Sequence, residues 1–142
     1  QLGVIANIQP LWCYLDPMNK ELIAPRIGHE RNNQQYRLRS MLKAGAMIAF
    51  GSDWPVTSHI PMQAISVPVT RTNAADGVSE AWVIEEALTM DESLTFYTKN
   101  AAYQLFRENE FGTLEEGKRA AFIVLDSDPA INPAAKLVKL VS

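Results

Sequence analysis

Two short, mostly apolar runs stand out in the first third of the chain, and each is closed by a residue that stops a strand. The first, Gly3 to Gln9 (Gly-Val-Ile-Ala-Asn-Ile-Gln), reads as a buried strand ended by Pro10, which has no amide to offer a ladder. The second is Ala46-Met47-Ile48-Ala49-Phe50, with the length and character of a buried strand. Between them, residues 10 to 32 read as an irregular stretch broken by Pro10, Pro17, Pro25 and Gly28, with one or two helical turns over Met18 to Ala24. A helix is expected from an Asn33 cap to about Ala44, turning Tyr36, Met41 and Leu42 inward. Gly45 supplies its stop, and Arg37, Arg39 and Lys43 suit the negative end of its dipole. Strand, loop, helix and strand make a βαβ unit, whose strands should run parallel with a right-handed crossover.

The second half shifts rhythm. Met62 to Arg71 reads as partly helical, and Thr72 to Ser79 as a polar loop. Thr89 and Glu92 then stand in capping-box spacing ahead of Met90, Leu94, Tyr97, Ala101, Ala102 and Leu105, one apolar face of a helix ending between Phe106 and Glu110. Turn glycines Gly112 and Gly117 follow, then a strand over Ala120 to Asp126 and a short one over Lys136 to Val141. A βα region passing into turn-linked strands implies two modules, 1–110 and 111–142.

The candidate chemistry lies in Gly51-Ser52-Asp53-Trp54-Pro55-Val56. A carboxylate at the carboxyl end of a buried parallel strand sits where α/β enzymes place reactive groups. Gly51 permits a sharp exit and Pro55 prevents regular continuation, so Asp53 should be held on a short, stiff segment. An aspartate here would equally serve as a turn or cap residue. Ser52 beside Asp53 is badly placed for a serine hydrolase triad, and no Gly-x-Ser-x-Gly elbow exists.

Composition then removes whole classes. Thirteen basic residues against sixteen acidic ones give a net charge of −3 with no basic stripe, which excludes a nucleic-acid partner. No apolar run is long enough to span a bilayer, and no signal peptide is visible. The single cysteine, Cys13, reads as a small buried apolar side chain and suits a reducing, cytoplasmic location. The start Gln1-Leu2-Gly3, without methionine, is expected to be the interior of a longer protein.

Four motifs then occur in a familiar order: Gln9-Pro10 at a strand end; Gly51 to Val56 after another strand; Leu88 to Ala102 (Leu-Thr-x-x-Glu…Tyr-Thr-x-Asn-Ala-Ala); and Gly112 to Pro129 (Gly-Thr-Leu-Glu-x-Gly-Lys-x-Ala…Val-Leu-Asp-x-Asp-Pro). From about Leu2 to Pro129 the chain resembles the C-terminal third of amidohydrolase-superfamily enzymes, most closely the amidohydrolase family 3 group. The resemblance implies an α/β fold, the C-terminal portion of a (β/α)8 barrel plus part of a small β-sandwich. Val4 to Gln9 would be barrel strand seven and Ala46 to Phe50 strand eight. One departure is Ala121, where such enzymes usually carry an aspartate.

By the same resemblance the parent protein hydrolyses a non-peptide amide or cyclic amide with a divalent metal, expected to be zinc. Asp53 matches the strand-eight aspartate that binds the metal or its bridging water and shuttles the proton. The other ligands of the family, a His-x-His on strand one, a lysine on strand four and histidines on strands five and six, would lie before Gln1. His29 and His59 match no ligand position and read as surface loop residues. Trp12 and Trp54 follow the two strand ends and either line a substrate pocket or pack the barrel mouth. Arg71 and Arg31 are candidate contacts for a substrate carboxylate, or solvated surface residues. The expected partners are the small amide and either the missing barrel portion or a second copy, since two barrel strands alone leave open edges. The alternative is an inactive structural or interaction module.

Overall fold

The computed structural model describes residues 3–132 and 137–141. Strand β1 (Ile5–Ile8) pairs in parallel with β2 (Met47–Phe50), in the register Ile5 opposite Met47 through Ile8 opposite Phe50. The parallel pairing expected of a βαβ unit is therefore present. Gly51 extends the ladder one step, donating its amide to the Ile8 carbonyl at 3.1 Å. Ile48, Ala49 and Phe50 are all buried, which explains why β2 reads as a continuous apolar run rather than an alternating one.

The connection differs from its sequence reading. After a 3-10 turn over Pro10–Trp12 come a π-helical turn (Asn19–Ile23) and the short helices α1 (Ala24–Ile27) and α2 (His29–Asn32). Helix α3 spans only Leu38–Lys43, and Arg37, not Asn33, sits at its cap. Two competing interactions explain the shortening. Tyr36 adopts a left-handed φ of 50°, which interrupts any helix begun at Asn33. The Asn33 side chain instead accepts the Trp82 indole N–H at 2.9 Å. The start of α3 is satisfied from a distance, because the Glu86 carboxylate accepts the Ser40 amide at 2.8 Å. A carboxylate there also suits the positive end of the helix dipole.

Helix α4 (Pro61–Thr70) opens on a proline, where the missing amide costs nothing, and carries Pro68 near its end. Residues 72–79 form the expected polar loop, a 3-10 turn over Ala74–Asp76 closed by a bridge between Asn73 and Val78. The capping box is present: Glu92 accepts the Thr89 amide at 2.7 Å, and Thr89 Oγ1 accepts the Glu92 amide at 3.2 Å. The expected single helix is two, α5 (Met90–Tyr97) and α6 (Lys99–Gln104), broken at Thr98 (φ −117°, ψ −82°). Phe106, with φ of 57°, turns the chain away earlier than expected.

The core lies where α5 and α6 pack on β2 and α4 packs on α5 and the turn after β1. Leu38, Ile48 and Val67 are all fully or nearly fully buried, each contributing about 1.5–3 kcal/mol of transfer free energy. Phe96 meets Phe50 edge to face with centroids 5.4 Å apart, and Met90 of α5 packs with Met62 and Ile65 of α4. Strands β3 (Phe122–Leu125) and β4 (Leu137–Val141) form a separate antiparallel pair with an irregularity at Val124/Leu125. The expected strand over Lys136 to Val141 thus matches from Leu137 onward, and Lys136 lies outside the described residues. Phe122, Ile123 and Val124 remain more than a third exposed. Among the described residues, no helix is long and apolar enough to cross a membrane.

Candidate active site

Asp53 stands three residues beyond the end of β2, with an unusual backbone. Its φ is 54°, a left-handed conformation that aspartate tolerates better than most residues. The Val56 amide donates to the Asp53 carbonyl at 2.8 Å across a cis Trp54–Pro55 bond, a type VI turn. Just before it, Ser52 is tied at several points. Its hydroxyl accepts the Trp54 amide at 3.2 Å, and its carbonyl accepts the Thr57 hydroxyl. Tyr97 of α5 lies beside the Ser52 side chain, and burial raises its hydroxyl pKa while Ser52 draws it back. Asn100 of α6 donates to the Ile48 carbonyl within β2 at 2.8 Å. The Asn of the Tyr-Thr-x-Asn motif thus holds the strand that leads to Asp53.

The Asp53 side chain itself is exposed and makes no hydrogen bond or ion pair among the described residues. It does not cap the following helix, whose cap position is Ile60. The turn therefore presents an exposed carboxylate that no other described side chain engages.

The remaining candidates divide. Trp12 closes the 3-10 turn after β1 and lines a cleft of about 290 Å³ with Leu11, Tyr14, Val56, Gln63 and Asp76. Trp54 is two-thirds exposed and does not line that cleft. Arg71 must be reassigned. It is fully buried, with Nε on the Trp82 carbonyl at 2.8 Å, Nη1 on the Tyr36 carbonyl at 3.3 Å and its guanidinium 5.5 Å from the Trp82 ring centroid. Burial closes this side chain to a substrate carboxylate, and its two bonds join the loops at Tyr36 and Trp82 while Nη2 stays without a hydrogen-bond partner among the described residues. Burial lowers its pKa, and burial raises that of neighbouring Cys13 to about 12, with Arg71 pulling the thiol back. Cys13 is the inert buried side chain its sequence suggested. Arg31 is exposed on α2.

His29 begins α2 and His59 lies in the loop before α4; both are exposed. Among the described residues no three His, Cys, Asp or Glu side chains come together as a metal site. A zinc centre takes about three protein ligands at fixed geometry. The residues present therefore do not fit a metal centre by themselves; at most Asp53 could serve one completed by other side chains.

Sequence reasoning missed the other wall of the cleft. The Tyr14 hydroxyl donates to Asp76 Oδ2, and Asn73 Nδ2 donates to the same oxygen at 3.2 Å. Burial, then the bond to Asp76, push the Tyr14 pKa up to about 12. These residues lie 62 apart in sequence, and only the turn-forming Asn73-Ala74-Ala75-Asp76 hinted at a fixed loop.

Comparison with known proteins accords with this geometry. The model of the Amidohydrolase family matches residues 1–141. Among curated relatives, Protein LONG AFTER FAR-RED 3 of Arabidopsis thaliana is 31% identical over 90% of this chain and 21% of its own length. N-substituted formamide deformylase of Arthrobacter pascens is 39% identical over 66% of this chain and 17% of its own. An uncharacterized metal-dependent hydrolase from Pyrococcus horikoshii superposes with a TM-score of 0.73 at 28% identity, covering 92% of this chain and 26% of that one. The chain thus spans about a fifth of the length of the curated relatives it matches.

Proposed function

The chain belongs to the amidohydrolase family, and we propose that it is the C-terminal portion of a metal-dependent hydrolase acting on a non-peptide carbon–nitrogen bond. In this reading β1 and β2 are the last two strands of a (β/α)8 barrel, and β3 and β4 belong to a small β-sandwich, dividing the chain at 110/111. The observation that carries the reading is the free Asp53 carboxylate on a rigid exit at the carboxyl end of a parallel strand.

The chemistry asks for such a group. As water attacks the amide carbon, a carbon–oxygen bond forms and the water proton passes to the Asp53 carboxylate. The carbon–nitrogen bond then breaks, and the same proton moves from Asp53 to the departing nitrogen, restoring the carboxylate. A divalent metal, zinc in this proposal, would be held mainly by residues outside this chain and would supply an activated water. Tyr97 and Asn100 serve as positioning residues, holding the strand that aims Asp53. Trp12 and Trp54 flank the mouth as candidate substrate contacts. The exposed apolar side chains of β3 are then surface that the rest of the enzyme covers. Free Cys13 accords with a reducing cytoplasm.

The reading is tested on the complete enzyme by dialysis against a chelator. Amide hydrolysis should fall to background and return with added zinc. A stripped enzyme that hydrolyses amides at the original rate would refute it.

A further inference from the structure

The cleft beside the strand ends has a sign. Asp76 is its one carboxylate, and no lysine or arginine lines it. Both hydrogen bonds to Asp76 fall on Oδ2, from Tyr14 and Asn73, which leaves Oδ1 without a partner among the described residues. These donors are neutral, so they orient the carboxylate without cancelling its charge. Arg71 does not line the cleft and is sealed in the core. Leu11, Val56 and the partly exposed indole of Trp12 add apolar and aromatic surface to the same lining. Val56 follows Asp53 by three positions and closes its turn, which sets the cleft directly beside the candidate reacting group.

We propose that this cleft binds a protonated amine on a short apolar stem. The ammonium donates to Asp76 Oδ1 and lies against the Trp12 ring, while the stem covers Leu11 and Val56. This inference rests on the hydrolase reading for its consequence: the substrate is an amide whose non-reacting end is cationic, and anionic amides are turned away. A neutral donor could fill the same hydrogen bond but would gain nothing from the uncompensated charge, and a carboxylate would be repelled by it.

The test uses the complete enzyme with n-butylammonium, n-butanol and butyrate as probes, followed by the NMR shift of the Trp12 indole N–H. Butylammonium should give a saturable shift that weakens as salt rises, butanol a far weaker one and butyrate none. Asp76→Asn should weaken butylammonium binding about tenfold, and Gln63→Glu, which adds a second carboxylate at an exposed position of α4, should tighten it. Equal binding of butanol or butyrate, or unchanged affinity in Asp76→Asn with Gln63→Glu also without effect, would overturn the proposal. Because binding is read without turnover, its failure leaves the hydrolase reading intact. Conversely, a complete enzyme that fails to hydrolyse any amide while butylammonium still binds would remove the hydrolase reading and spare the cleft.

Discussion

Replacing Glu86 by alanine should be among the most damaging single changes in the region before β2. The carboxylate is almost fully buried and accepts three bonds: the Ser40 amide and the Arg37 Nε, each at 2.8 Å, and the Ser40 hydroxyl at 2.5 Å. Arg37 is 40% exposed, so water recovers most of what its partner loses and that pair contributes little. The Ser40 amide is different, because it is a first-turn donor of α3 with no other cap. Leaving it and the hydroxyl unmet, with a void behind them, costs about 2–3 kcal/mol. In urea this is a midpoint shift of about 1–2 M at an unchanged slope. The pH dependence follows with a definite sign. Burial alone would raise the Glu86 pKa, but the bonds from Ser40 and Arg37 outweigh it and leave the carboxyl below its ordinary value. Its contribution is therefore complete above the unfolded-state carboxylate pKa and is lost as pH falls through the lowered folded one. Glu86→Gln should keep part of the packing and flatten that acid limb. A midpoint shift under about 0.3 M for Glu86→Ala, or an acid limb unchanged in Glu86→Gln, would refute the reasoning.

Other positions give sharper or smaller effects. Gly112→Ala should destabilise by about 2–3 kcal/mol, because a Cβ there would lie 2.8 Å from that of Ala102 and 3.0 Å from the Lys99 Cα, at a φ of 94°; thermal melts should show it. Arg71→Met should cost about 3 kcal/mol or more, since the Trp82 and Tyr36 carbonyls lose their donor; chemical denaturation with a shift under about 1 kcal/mol would show those bonds to be dispensable. Asn100→Ala should lose about 1 kcal/mol and speed amide exchange in β2 more than in α4, because it removes the bond to the Ile48 carbonyl.

What could be read from the chain, and what could not, follows the range of the interactions involved. Strand β2 was legible because Ile48, Ala49 and Phe50 state their burial directly, whereas β1, read from a similar run as buried, is only half-buried, with Asn7 exposed. The Thr89 capping box was legible because both partners lie within one turn. Helix α3 was misread because its start is decided by Glu86, 46 residues downstream, and by Trp82 claiming Asn33. The break at Thr98 and the burial of Arg71 depend likewise on tertiary surroundings that local pattern does not encode. At the site, the Asp53 exit was visible as Gly-Ser-Asp-x-Pro, whereas the Tyr14–Asp76 contact has no sequence signature.

The most direct test of the account replaces Asp53 by asparagine in the complete amidohydrolase and follows amide hydrolysis under saturating substrate. Asparagine keeps the left-handed backbone within easy reach, so folding and KM should change little. Loss of the proton carrier should lower kcat by about 10²–10⁴-fold. A variant that turns over within a few fold of the parent, with the same pH profile, would contradict the assignment of Asp53 as the group that moves the proton.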